Sequence, residues 1–294
     1  MTGDHLRSDR HPQRDFFVAD ILDAAPKDDM GSMEHPLFAL KSGDTAIRRY
    51  EHRGNVVEVA PSVRGLATIH DKDVLIYVVS QMVEAINRGR TDVGRTVRLT
   101  AYDLLVTTNR RTDGDAYHRL HMALERLAGT RISTNIKTAG QRERQGFGLI
   151  DRYRIVEYDD RERMVALEVT ISEWLWRAVQ AREVLTLSRD YFRLRKPLDR
   201  RIYELARKHC GAQRRWRVGL ATLKAKSGST SSAKEFRRAI RSLAKSDQLP
   251  DYRLRYDSAS DTLSVYPRSG RGAIAQVRDT LARGGRTHGD LYGD

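Results

Sequence analysis

Residues 231–267 read SSAKEFRRAIRSLAKSDQLPDYRLRYDSASDTLSVYP. Two serines open the stretch, basic residues recur at spacings of three and four, and the rhythm then changes to strand-like alternation on both sides of DSASD. Ser231 and Ser232 stand where an N-cap belongs, and their hydroxyls also suit a phosphate. From Ala233 to Lys245, Phe236, Ile240 and Leu243 form one apolar stripe, which predicts a helix packed on a core. Lys234, Arg238, Arg241 and Lys245 make a continuous basic row on the outside, with Arg237 at its border and only Glu235 and Asp247 diluting it. Arginine can match guanine bidentately in a major groove, whereas lysine mainly offers phosphate a point charge. A solvated charged face has the same pattern, so the charge of the whole chain has to decide between the two. In the following DYRLRYD, Arg253 and Arg255 alternate with Leu254 and Tyr256, so both arginines leave the sheet on one face. That suits a hairpin gripping phosphate and equally an edge strand protected by charge.

The order that ends in this stretch occurs twice. In the first half, DKDVLIYVVSQMVEAINRG predicts a helix capped by Asp71 and ended by Gly89, with Val74, Leu75, Val78, Val79, Met82 and Ile86 at helical spacing. A short strand and a helix from Thr100 follow, then a helix from Asp115 to about Ala128. Strands FGLIDRYRIVEYD and RMVALEVTIS are joined by DDRER, and EWLWRAVQAREVL closes the block as a helix. Trp174 and Trp176 in that helix are two apart and cannot share a face; one packs in its own domain, and packing at the domain interface suits the other. In the second half, RKPLDRRIYELARKHCG is a helix, RRWRVGL a strand and LATLKAKSG a short helix stopped by Gly228. Each half thus reads helix, strand, helix, helix, strand, strand. That is the order of a winged helix, whose third helix enters a major groove beside a β-hairpin wing.

The expected fold is therefore α+β, with two tandem winged-helix domains at 45–186 and 187–268. A disordered arm is expected over 1–44, where no period is sustained, and a flexible Gly- and Arg-rich tail over 269–294, apart from a short helix around AIAQVRDTLA. The length of 294 residues fits two domains. A net charge of +14 favours a polyanion, because phosphate contacts release condensed counterions, and makes double-stranded DNA the leading partner ahead of an anionic membrane surface. Cys210 is the single cysteine, so no intrachain disulfide or cysteine zinc cluster can form, as fits a reducing cytosol. No run approaches the roughly 18 apolar residues of a membrane span, and the expectation is a cytoplasmic protein.

The matching third helix of the first half has Tyr117, Leu120, Leu124 and Leu127 on its core stripe. His118, Arg119 and Arg126 on its outer face are candidates for a secondary DNA contact, diluted by Asp115 and Glu125. The first domain is expected to bind DNA weakly or to serve in association; a plain structural helix would look much the same. Enzyme motifs do not assemble. KAKSGST lacks the glycine spacing of a phosphate loop, and His118 and His121 lack the acidic partner of a metalloprotease helix, with His121 expected on the buried stripe. No His-hydrophobic-His pair suits a rolling-circle nicking enzyme, and His-x-x-Arg occurs only at His11 to Arg14 in the arm. No catalytic residue, cofactor or metal is expected.

The run LDRRIYELARKHCGAQRRWRVGLATLKAKSGSTSSAKEFRRAIRSL resembles the replication initiator protein A family of bacterial plasmids. HDKDVLIYVVSQMVEAINRG, VRLTAYDLLVTTNRRTDGDAYHRLHMALERLAGTRISTNI and FGLIDRYRIV resemble it too, so the likeness covers roughly residues 36 to 267 and is most specific at RIYELARKHCG. The resemblance implies an initiator that binds direct repeats (iterons) in a plasmid origin. The second domain would read the major groove, and the first would mediate dimerisation in a monomer–dimer equilibrium and touch the adjacent part of the site. Opening of an A·T-rich segment and recruitment of host replication initiation and helicase-loading proteins would follow. The rival is a winged-helix transcriptional repressor, including one that represses its own gene.

Overall fold

The computed structural model describes residues 25–284 except 53, 137–139, 141–144 and 159–163, together with Leu6, residues 17–18 and residues 21–22. The chain enters through β1 (Lys27–Asp29) and α1 (Met30–Glu34), whose first turn is capped by the Asp29 carboxylate accepting from the Ser32 amide at 2.7 Å. A hairpin of β2 (Arg48–His52) and β3 (Asn55–Ala60) leads to α2 (Lys72–Asn87). Then come β4 (Thr96–Thr100), α3 (Ala101–Thr107) and α4 (Gly114–Gly129), with Thr100 and Asp113 accepting from the Asp103 and Ala116 amides as caps. The start of α4 thus lies at Asp113, not Asp115. β5 (Arg131–Thr134) and β6 (Gln145–Gly148) join the first hairpin in a sheet ordered β2-β3-β5-β6. β7 (Ile150–Tyr158) and β8 (Met164–Ile171) form a second sheet ordered β4-β8-β7, and α5 (Glu173–Gln180) follows. The run read as one strand from Phe147 breaks at Leu149: Phe147 pairs with Ile132 in one sheet and Ile150 with Ile171 in the other. The joining residues DDRER lie outside the described residues.

The second half starts at β9 (Val184–Thr186) and continues through α6 (Pro197–His209), β10 (Trp216–Gly219), α7 (Leu220–Ser227) and α8 (Ala233–Ser246). β11 (Tyr252–Asp257) and β12 (Thr262–Pro267) complete a sheet ordered β10-β12-β11, and α9 (Gly270–Gly284) ends it. Both halves therefore run helix, strand, helix, helix, strand, strand, and both place the last strand at the centre of a three-stranded antiparallel sheet. The first half differs by the inserted β5–β6 pair. Each half has its own apolar core: one runs from Leu37 to Val179, the other from Leu187 to Val265 with Met33 and Ile76 reaching in from the first part of the chain.

Met33 corrects the expected arm. From residue 25 the segment is built in, because β1 pairs antiparallel with β9 (Asp29 with Val184, Lys27 with Thr186) and Met33 is fully buried in the second core. Its elements are too short to show a period in the sequence; partners more than 150 residues away supply the order. In the tail, the helix expected around AIAQVRDTLA is present and longer, Gly270–Gly284, and only the flexibility expected there is corrected. There α9 packs on β12, with the Asp279 carboxylate accepting from the Tyr266 hydroxyl at 2.5 Å and pairing with Arg215. Residues 285–294 lie outside the described residues. Gly228 ends α7 at φ 69°, and a Cβ there would come 2.8 Å from Pro36 and 3.2 Å from the Tyr50 hydroxyl, so it also lets the two halves approach. Trp174 is buried and stacks on Phe147 at 5.1 Å, while Trp176 is partly buried against the first core.

Charge rather than oil fills the seam between the halves. Every residue of α2 from Lys72 to Val83 is buried, so this helix is enclosed well beyond the single stripe read from its spacing. Lys72 Nζ lies 2.6 Å from Asp28 and 3.2 Å from Glu204 of α6. Arg200 Nη1 lies 2.5 Å from Asp73. Arg201 donates from Nη1 to the Ser32 and Met33 carbonyls and to Glu204, and from Nη2 to the Glu34 and Lys226 carbonyls. The Tyr191 hydroxyl completes Glu204 at 2.7 Å. Burial pushes the Asp28 carboxyl up to about 8 against the pull of Lys72, and the neighbouring Glu204 and Asp29 add to the rise. A seam of this kind is stable only because each buried ion meets several partners.

His209, at the end of α6, gives the fold a pH dependence. Its ring stacks on Trp216 with centroids 4.9 Å apart, and burial, then Lys226, pushes its pKa down to about 4 from the ordinary 6.5. Between those values the unfolded chain binds the extra proton. The contribution is therefore complete above about 6.5 and is lost as pH falls toward 4. Acidification from pH 7 to 5 is expected to lower the melting temperature of the wild type more than that of His209→Gln. Equal decreases would remove His209 as a cause.

Candidate nucleic-acid interface

The outer surface of α8 is the most cationic helix face of the second half. Ser232 caps it in a reciprocal box: its hydroxyl accepts from the Glu235 amide, and the Glu235 carboxylate accepts from the Ser232 amide at 2.9 Å. Ser231 stands just ahead, its hydroxyl 2.9 Å from that of Ser229. Phe236, Ile240 and Leu243 are buried, as their spacing requires, which leaves Lys234, Arg238, Arg241 and Lys245 exposed on the other side. Four of the proposed contacts therefore share one solvent-facing surface.

Two arginines of the row have work within the protein. Arg237 donates from Nε and Nη2 to the two carboxylate oxygens of Asp261, both at 2.9 Å, and the Tyr256 hydroxyl donates to the same carboxylate at 2.6 Å. These hydrogen bonds hold the Asp261 carboxyl well below the usual carboxylate range and raise Arg237. The guanidinium of Arg241 lies over the Tyr256 ring, 5.1 Å from its centroid. Asp261 immediately precedes β12 and Tyr256 nearly ends β11, so the pair latches the hairpin to the helix.

Arg253 and Arg255 lie on the other side of the sheet. Tyr252 and Leu254 point into the core, so the two arginines stand on the outer face, opposite Tyr266 and Ser264. Arg253 reaches back toward Asp247 at the end of α8, at 3.7 Å. Arg217 of β10 faces Ser264 from the other edge, which puts Arg217 and Arg255 in one row across the three strands. Arg217 is not among the residues singled out from the sequence, although its alternation with Trp216 and Val218 puts it on the same face as Arg255. The hairpin tip, Ser258–Ala259–Ser260, has no basic residue.

On α4 the structure separates the three secondary candidates. His118 and Arg119 are exposed, and Arg119 pairs with Asp115 one turn away at 2.6 Å. Arg126 is committed: it gives Asp71 two hydrogen bonds of 2.7 Å and so ties α4 to the start of α2. The same bonds explain why Asp71 does not cap α2 with its side chain, as expected from sequence. His121 is half-exposed rather than buried, 3.3 Å from the Tyr153 hydroxyl. No helix among the described residues is long and apolar enough to cross a membrane.

Two helix-and-sheet units of one topology on a shared seam define the class of fold, and solved structures of that class match. The chain is similar to domains 2 and 3 of RctB in a selenomethionine crystal structure, with a TM-score of 0.57 and 12% identity over 81% of this chain and 96% of that one. A second structure of RctB domains 2–3 gives a TM-score of 0.53 and 13% identity over 85% and 99%. The sequence carries the assignment further. The chain belongs to the replication initiator protein A family, whose model matches residues 27–254. It is also 38% identical over 258 residues to the "Putative replication protein" of Wigglesworthia glossinidia brevipalpis, covering 87% of this chain and 94% of the relative.

Proposed function

We propose that this protein starts plasmid replication by binding repeated double-stranded sites (iterons) in the origin through two tandem winged helices, of which the second reads the sequence. The observation that carries the proposal is α8: a capped helix with its apolar stripe buried, its basic row exposed and a hairpin latched to it. The shared sheet order of the halves supports the winged-helix reading. The first half, whose α4 carries Asp115 and Glu125 among its bases, contributes self-association in a monomer–dimer equilibrium and a weaker contact beside the site. Host initiation and helicase-loading proteins act after the protein has bound. We infer a cytoplasmic protein that performs no covalent chemistry, so supercoiled origin DNA incubated with it and Mg²⁺ should remain unnicked.

Footprinting on the DNA beside the gene tests the function. Protection of tandem direct repeats supports initiation, whereas protection of one inverted repeat over a promoter would make the protein a repressor instead. Affinity is expected to fall steeply with salt, by nearly one logarithmic unit of slope per phosphate neutralised. Lys245, near the end of α8, should act as one such contact. Lys245→Ala is expected to weaken cognate and scrambled duplexes alike and to reduce the slope by about one. An unchanged slope would take Lys245 off the phosphate backbone.

A further inference from the structure

A cleft of about 790 Å³ opens where the two halves meet. It falls in the size range of small-molecule sites. Its walls carry Arg110, Arg111, Arg119, Arg126, Arg195 and Arg200 against two carboxylates, Asp71 and Asp73. The first four arginines belong to the first half and the last two to the second, so the cleft is complete only when the halves are docked. Met122 and Ala116 contribute apolar lining, and hydroxyls of Ser42, Thr68 and Thr108 add polar lining.

Charge accounting shows what this cleft lacks. At the floor, buried Asp73 is shared by Arg200 at 2.5 Å and Arg110 at 2.9 Å, so one negative charge serves two guanidiniums. Asp71 is matched by Arg126 alone. Arg195 is exposed and pairs with no carboxylate among the described residues. The lining therefore brings six guanidiniums together with two carboxylates. At the rim, Arg111 pairs with Asp113 and Arg119 with Asp115, both at 2.6 Å; these are exposed pairs that exchange readily for a better anion. The floor is rigid and buried, the rim adjustable, and both sides present guanidiniums.

We propose that this cleft is a phosphoanion site, which takes two or three closely spaced phosphate groups between Arg195 of the second half and Arg110, Arg111 and Arg119 of the first. Guanidinium forks match phosphate oxygens in pairs, and six arginines line this one cleft. Consecutive phosphates of a DNA backbone crossing the junction and the polyphosphate of a free nucleotide share this chemistry. With DNA as the source the inference rests on the function proposed above; with a free nucleotide it does not. An anion that touches both halves also stabilises their docked arrangement by linkage.

The test compares the full chain with Arg195→Ala, an exposed position whose loss leaves both cores intact, with circular dichroism as the check on folding. In one arm, sodium tripolyphosphate is titrated at constant ionic strength, with sodium sulfate as control, and the melting temperature is followed. A free-nucleotide site predicts stabilisation beyond that of sulfate and about a tenfold loss of apparent tripolyphosphate affinity in Arg195→Ala. In the other arm, origin-duplex binding is measured against salt. A DNA-backbone site predicts a salt slope smaller by about one in Arg195→Ala, with equal loss on cognate and scrambled duplexes. Either result supports the site and identifies its source. If Arg195→Ala changes neither tripolyphosphate binding nor the salt slope, the inference is overturned. Arg238→Ala run in parallel separates the two readings: loss of cognate binding there, with no effect of Arg195→Ala, sinks the cleft alone. The reverse pattern sinks the α8 reader and leaves the cleft standing.

Discussion

Arg200→Ala is expected to lose about 3–5 kcal/mol of unfolding free energy, the range for breaking a buried ion pair from one side. Arg200 is 1% exposed, donates to Asp73 and to the Leu194 and Phe192 carbonyls, and lies over the Tyr191 ring at 5.0 Å. Burial works to raise the Asp73 carboxyl, and Arg200 together with Arg110 overcomes it and holds the group below its ordinary range. Without Arg200 the carboxylate keeps a single guanidinium in a dry seam, and two carbonyls lose a donor. The control is Arg154→Ala. Arg154 pairs with Glu168 at 2.8 Å but is itself largely exposed, so its loss should cost no more than about 1 kcal/mol. Urea unfolding followed by circular dichroism and tryptophan fluorescence compares the two. A cost for Arg200→Ala as small as the control's would mean that the seam does not hold the halves together.

The second large effect is expected at Arg238. The residue is exposed in the middle of α8, away from the buried stripe and outside the hairpin latch. If it makes a bidentate base contact, Arg238→Ala should cost about 1–3 kcal/mol on a cognate duplex and relax preference at one base position. Its neighbours should behave differently. Arg237→Ala breaks the bonds to Asp261 and loosens the hairpin, so its main expression is a lower melting temperature. Arg241→Ala removes the contact over Tyr256 together with a solvent-facing charge, so it should weaken scrambled as well as cognate duplexes. Fluorescence anisotropy on both duplexes, with melting curves for each variant, resolves the three. Wild-type affinity and preference in folded Arg238→Ala would take α8 out of the reading role.

Much of the second half is legible in the sequence. Phe236, Ile240 and Leu243 announce a one-sided helix, Ser232 its start and Gly228 the end of the helix before it, because these signals act within a few residues. The alternation in YRLRYD likewise separates Arg253 and Arg255 from the core. What that alternation does not contain is direction relative to another element. The two arginines leave the sheet on its outer face, while the basic row leaves α8 on the helix's own exposed side. Arg237 is legible as a base bordering the row, but its carboxylate partner lies 24 residues further on, in the turn of the hairpin.

The helix–strand order of the two repeated units, the cationic face of α8 and the family are legible in the sequence, because periodicity, caps and composition are local or additive properties of the chain. Which charges face solvent and which are structural depends on the packing of the two halves. Lys72, Asp73, Arg200, Arg201 and Glu204 read as ordinary polar positions on amphipathic helices, yet all five are buried where the halves meet. Their partners stand far away along the chain: Asp28 is 44 residues from Lys72, Asp73 127 from Arg200, and the Ser32 carbonyl 169 from Arg201. A buried charge is tolerable only when compensating groups converge on it in three dimensions, and that convergence is absent from any local window of sequence.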